Sequence, residues 1–204
     1  MVSRLTSCHV LDKCFIKMKN NKTSQTNTAY LDVYTGLILT LLSREDIKNP
    51  AVKNILRFLV REASNCTSDL PCYDNKLGSK MTSVKAIERI SKIKDGNYTG
   101  LVGDHVVPVS VINEKLIELK SIDVDAIKRT ISKFAVRAVI TKEEDAILRE
   151  SKYIKKMPDE WNENIFARYE KAGIELKNIP YKIVLKEAKN RVKFDLHQKS
   201  INAN

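Results

Sequence analysis

Apolar residues recur at helical spacing across residues 29–43. Leu31, Val33, Tyr34, Leu37, Ile38, Leu41 and Leu42 form a run that predicts a buried helix. Asn49-Pro50 opens a second helix, because proline fits a first helical turn whose N–H groups have no partner anyway. Val52, Ile55, Leu56 and Leu59 give it an apolar face. Residues 64–82 hold Ser, Asn, Asp, Pro and Gly and read as a loop. Ser83 can cap a helix over 83–93, and Asp95-Gly96 would stop it. The period then changes. Residues 101–109 are short-range and β-branched, which predicts a strand, followed by helices over 112–119 (capped by Ser110) and 123–132. Phe134-Ala-Val-Arg-Ala-Val-Ile140 alternates like a second strand, and Thr141 starts a helix over Lys142–Glu150. A helix carrying Trp161, Ile165 and Tyr169 is expected after Met157-Pro158, with Gly173 as its stop. Residues 182–196 form a basic amphipathic helix or strand.

This pattern gives an α+β chain, mostly helical, in four stretches: a basic polar arm over 1–28, a helical region over 29–97, a central strand-strand-helix module over 98–152, and a C-terminal helical and basic segment over 153–204. With 204 residues, 43% of them hydrophobic, the chain can bury a core without crosslinks. No apolar run approaches the eighteen or so residues that a membrane helix requires. The first residues lack the apolar core and small-residue cleavage site of a signal peptide. A cytoplasmic protein with no membrane partner is the expectation.

Charge adds a partner. The net charge is +11, and it is concentrated at the ends: residues 1–30 carry five Lys/Arg against one Asp, and residues 181–204 carry six against two acids. A surplus of this kind suits a phosphate backbone. Nucleic acid is the expected partner, DNA ahead of RNA. Cys8, Cys14, Cys66 and Cys72 form two pairs with equal spacing, which suggests a structural zinc site. Five residues separate each pair, however, where zinc ligands usually have two to four. Reduced, unconnected thiols are the ordinary state of such cysteines.

The candidate chemistry lies in Gly103-Asp-His-Val-Val-Pro108. His105 is the one histidine away from the end segments, which hold His9 and His197. Neighbours on a strand point to opposite faces, so Asp104 and His105 can serve different partners. Phosphodiester hydrolysis needs such a division. A hard cation is held by oxygen ligands while a neutral imidazole takes a proton from the attacking water.

Asp104-His-Val-Val-Pro-Val-Ser-Val-Ile112 resembles the first strand of the HNH, or ββα-metal, endonucleases. Arg137-Ala-Val-Ile-Thr-Lys-Glu-Glu-Asp145 is similar to the family's second strand running into its metal-binding helix. The resemblance covers residues 98–152. It implies a β-hairpin-plus-helix site in which His105 is the general base and Asp104, with Asp145 or Glu144, holds Mg2+ or Mn2+. A carboxylate there would replace the family's usual Asn or His. The motif's central Asn would be Asn113, which lies far from the second strand in sequence. Arg137, Lys142, Arg149 and Arg168 are candidate phosphate contacts, with Tyr169 able to stack on a base.

Each of these residues also has a plainer role. Thr141-Lys-Glu-Glu144 is a capping box, in which Glu144 reaches back to the helix start, and Asp145 is a favourable charge in a first turn. Lys142 and Arg149 suit a solvated helix face; Trp161 and Tyr169 suit a core. Two other functions stay open beside the nuclease: a nucleic-acid-binding protein without cleavage, and an interaction or inhibitor protein whose strand pair is scaffold.

Overall fold

The computed structural model describes residues 26–67, 79–93 and 99–201, with side chains over 28–67, 79–93 and 99–191. Most of the polar arm, Cys8, Cys14, Cys72, His9 and Asp95-Gly96 lie outside the described residues, as does the side chain of His197. The chain opens with α1 (Thr26–Leu42) and α2 (Pro50–Cys66). Asn49 caps α2, its Oδ1 accepting from the Ala51 N–H at 2.9 Å, and Pro50 takes the first helical position. Next come β1 (Met81–Ser83), α3 (Val84–Lys92), β2 (Leu101–His105), α4 (Val109–Ile117) and α5 (Val124–Phe134). The chain then runs through β3 (Arg137–Thr141), α6 (Lys142–Glu150), α7 (Ala167–Lys171), β4 (Leu176–Lys177) and α8 (Tyr181–Ile201). The coarse class is as expected: α+β, mostly helical.

The strands form one sheet in the order β2-β3-β1-β4. β3 pairs antiparallel with β2 and parallel with β1, while β1 pairs antiparallel with β4. In the β2–β3 register Leu101 faces Thr141, Asp104 faces Ala138 and His105 faces Arg137. The two strands expected from the pattern are therefore partners, and a helix follows the second. They are not a hairpin: α4 and α5 fill the connection between them.

β3 is buried along its whole length because both faces of the sheet are covered. On one face Val139 and Leu101 pack with Ile90, Tyr181 and Val184 from α3 and α8. On the other, Ala138 and Ile140 pack with Leu148, Tyr169 and Ile174. A strand covered on both sides carries continuous apolar residues, as Ala138-Val-Ile140 does. The largest core joins α1, α2, α4 and α5 through Ile38, Leu56, Ile112, Leu116, Ile127 and Ile131.

The structure departs from expectation in several places. β1 and β4, absent from the sequence reading, are three and two residues long, too short to show a period of two. Residues 64–66, read as loop, complete α2. Ser110 does not cap α4; Pro108 stands at that position and the Ser110 hydroxyl donates to the Lys155 carbonyl at 2.6 Å. The helix expected around Trp161 shrinks to α7, because Asn162 and Glu163 adopt φ of 44° and 60°, left-handed values that a right-handed helix cannot contain. Residues 182–196 are helical, within α8. Among the described residues no helix is long and apolar enough to cross a membrane.

Candidate functional site

Asp104 and His105 end strand β2, and their side chains part to opposite sides of the sheet as the strand period requires. On one side Asp104 meets α7. Arg168, fully buried, donates from Nη2 to Asp104 Oδ2 and to the His105 carbonyl. It also donates from Nε to the Val106 carbonyl at 2.8 Å and from Nη1 to the Tyr153 carbonyl at 2.9 Å. The Tyr169 hydroxyl donates to the same Asp104 oxygen. Burial and the adjacent carboxylate push the Tyr169 phenol well above its usual range, so it stays a proton donor. One arginine thus ties three backbone carbonyls and one carboxylate together, satisfying groups that burial would otherwise penalise.

On the other side His105 meets α2. Its Nε2 lies 2.8 Å from the Ser64 hydroxyl, and Ser64 also donates to the Arg61 carbonyl at 2.6 Å. Arg137, the cross-strand neighbour of His105, is buried and donates to Asn65 Oδ1. Desolvation, reinforced by the positive charges of Arg137, Arg61 and Arg168, lowers the His105 pKa to about 3. The imidazole is neutral at any ordinary pH.

An open cleft of about 170 Å3 lies over these residues. Arg57 and Arg61 from α2, Asp104 and His105 from β2, Ser110 from α4, and Lys155 after α6 line it. Arg57 and Arg61 stand four apart, so they project from one face of the helix on successive turns. Both, like Lys155, are exposed.

The other candidate residues fall elsewhere. Thr141 faces Leu101, three residues along the strand from Asp104, a separation of about 10 Å at the usual strand rise. Glu144 is held at that far end. It closes the expected capping box with Thr141, its Oε2 accepting from the Thr141 N–H at 2.8 Å, and it accepts from the Ser83 hydroxyl at 2.6 Å. Asp145 pairs with Arg149 along the helix at 2.9 Å. Two carboxylates sharing an ion must approach within about 5 Å, since each oxygen sits roughly 2.1–2.5 Å from the metal. Asp104 and Glu144, fixed by these bonds at opposite ends of the strand pair, are not brought together. Among the described residues no cluster of three His, Cys, Asp or Glu side chains is placed to hold an ion. Lys142 is exposed at the same far end. Arg168, expected on substrate, is instead spent inside the protein, and Tyr169 is buried against the sheet. Asn113 is buried on α4. Cys66, the one described cysteine of the four, is buried on α2, its thiol donating to the Glu62 carbonyl at 3.3 Å.

Sequence reasoning missed Arg57, Arg61, Ser64 and Lys155. The single signal was the Arg57/Arg61 spacing on an amphipathic helix; nothing in the sequence joins that helix to β2. No protein-family model, curated protein or solved structure matches the chain.

Proposed function

We propose that this protein is a nucleic-acid endonuclease that hydrolyses a phosphodiester bond in the cleft between α2 and the end of β2, with His105 as general base. The observation that carries this reading is the meeting of a neutral imidazole and three exposed cationic side chains, Arg57, Arg61 and Lys155, around one small opening. Guanidinium groups bind phosphate oxygens in pairs and favour the charge that builds on phosphorus as water attacks. A free imidazole with a pKa near 3 is a weak base, and a base works best with a pKa near the working pH. Burial is the larger cause of that low value, and a bound phosphate would act only on the smaller, electrostatic part. The negative charge of the phosphate would offset the field of Arg61 and Arg137, which is part of what holds the imidazole down.

The ion implied by the HNH resemblance has one of its expected ligands here. Asp104 lines the cleft, while Glu144 and Asp145 are engaged elsewhere. Mg2+ commonly takes one or two carboxylates and completes its shell with water and substrate phosphate. Among the described residues lining the cleft Asp104 is the carboxylate, one of whose oxygens already accepts from Arg168 and Tyr169, and an ion there would add positive charge at the phosphate.

A second reading is binding without cleavage. It is favoured by the engagement of Asp104 with Arg168 and Tyr169, which leaves that carboxylate less able to serve an ion. The test is incubation of the full chain with supercoiled plasmid or a structured RNA, with Mg2+, with Mn2+ and with EDTA. Cleavage by the native chain that is lost in His105→Ala supports the nuclease. Salt-sensitive binding without cleavage selects the second reading, and absence of both overturns the two together.

A further inference from the structure

We infer that Ser64 is the positioning residue of His105: it fixes the imidazole as the Nε2-protonated tautomer and so leaves Nδ1 as the basic nitrogen of the cleft. The inference follows from counting hydrogens. Ser64 has one hydroxyl proton and two contacts, to the Arg61 carbonyl at 2.6 Å and to His105 Nε2 at 2.8 Å. A backbone carbonyl can only accept, so the hydroxyl proton belongs to that contact. The contact with His105 is then attractive only if Nε2 carries a hydrogen and donates it to the Ser64 oxygen. A neutral imidazole has one N–H, so Nδ1 keeps a lone pair. Ser64 is almost fully buried and does not line the cleft, whereas His105 does. The nitrogen tied to Ser64 is therefore on the buried side of the ring.

The alternative proton placement has a clear cost. A hydroxyl donating to Nε2 would leave two oxygen acceptors facing each other at 2.6 Å, one of them in a nearly dry site. The cations that lower the basicity of the ring are Arg61 on α2, Arg137 on β3 and Arg168 on α7, and the choice between the neutral tautomers falls to the hydrogen bond at Nε2. Ser64 makes that choice. The same geometry argues against Ser64 as a nucleophile, since its proton is committed and it lies outside the cleft wall.

The test is nitrogen-15 NMR of the imidazole rings in the full-length protein at pH 7.5, with His105 assigned by its loss in His105→Gln. The expected native spectrum has Nε2 in the protonated range and Nδ1 in the unprotonated range. Ser64→Ala is expected to move both signals toward the tautomer average, and Ser64→Thr to restore them. A native His105 protonated on Nδ1, or a folded Ser64→Ala protein with unchanged nitrogen shifts, overturns the inference. The native spectrum alone decides the point if Ser64→Ala does not fold. Only the kinetic arm rests on the nuclease reading. If cleavage is found, Ser64→Ala should lower kcat by about tenfold or more with little change in KM, as for a residue that orients a base. Lost cleavage in every form with the expected tautomer would leave Ser64's role standing and remove the nuclease.

Discussion

His105 bears on folding stability as well as on the proposed chemistry. Its pKa falls from an ordinary 6.5 to about 3 in the folded chain, so between those values the unfolded chain binds the proton that the folded one refuses. The extra protons on the unfolded side mean that stability falls as pH drops through this window, by at most about 1.4 kcal/mol per pH unit from this group. Above pH 6.5 both states are neutral and the group contributes no slope. Urea unfolding from pH 7 to pH 4 should show this acid loss, and His105→Gln should flatten it; equal slopes would mean that the imidazole is solvated. Beside it, Asp104 and Arg168 form a pair with Arg168 wholly buried. Removing one partner of such a pair costs about 3–5 kcal/mol, because the survivor is left charged and dry. Asp104→Ala should lose that much in urea unfolding. Arg168→Met should cost at least as much, since it also leaves the Val106, Tyr153 and His105 carbonyls without their donor. The double variant should lose less than the sum of the two. Additive losses would show that the pair does not couple. The Asp-His dipeptide was legible in the sequence because its residue types are chemical. Its partners were not, since Ser64 and Arg168 reach it from 41 and 63 residues away along the chain.

Local rules carried the elements that have local causes. Lys142–Glu150 was readable to the residue because its start is a capping box, four consecutive positions whose side chains bond their own backbone. α2 and α5 were readable at their N-termini for the same reason, Asn49 and Asp123 each accepting from a nearby helical N–H. The short strands β1 and β4 were not, because each exists only as a partner for another part of the sheet. Glu144 shows how a local cap can mimic a ligand. Its carboxylate accepts from the Thr141 backbone and, across the sheet, from Ser83, itself the cap of α3. Glu144→Ala leaves a buried N–H and hydroxyl without their acceptor, a loss of about 1–3 kcal/mol. The loss should appear in thermal or urea unfolding, while affinity for nucleic acid stays within about twofold, since the residue lies about 10 Å along the sheet from the cleft by strand rise. A large fall in affinity with unchanged stability would return Glu144 to the site.

For the whole molecule, the question is whether the net charge of +11 acts as a diffuse attraction or through one place. The excess at the two ends of the chain would draw any polyanion without regard to place. The cleft differs because Arg57, Arg61 and Lys155 converge on one opening beside His105. Counterion release separates the two cases. Each phosphate neutralised on duplex DNA contributes about −0.9 to the slope of log affinity against log salt. If the cleft holds the backbone, replacing Arg57, Arg61 or Lys155 singly by Gln should reduce the slope by about one each, and should weaken binding at every sequence alike. Lys142→Gln, at the far end of the strand pair, serves as the comparison and should change the slope much less. If all four variants shift it equally, binding is diffuse and the cleft has no special claim on phosphate. If the three cleft variants stand apart, and His105→Ala binds with the native slope while cleavage is lost, then binding and hydrolysis belong to one site built from α2 and β2. The strand pattern pointed to the β2 wall of this cleft; the α2 wall depends on a helix folding back across the chain.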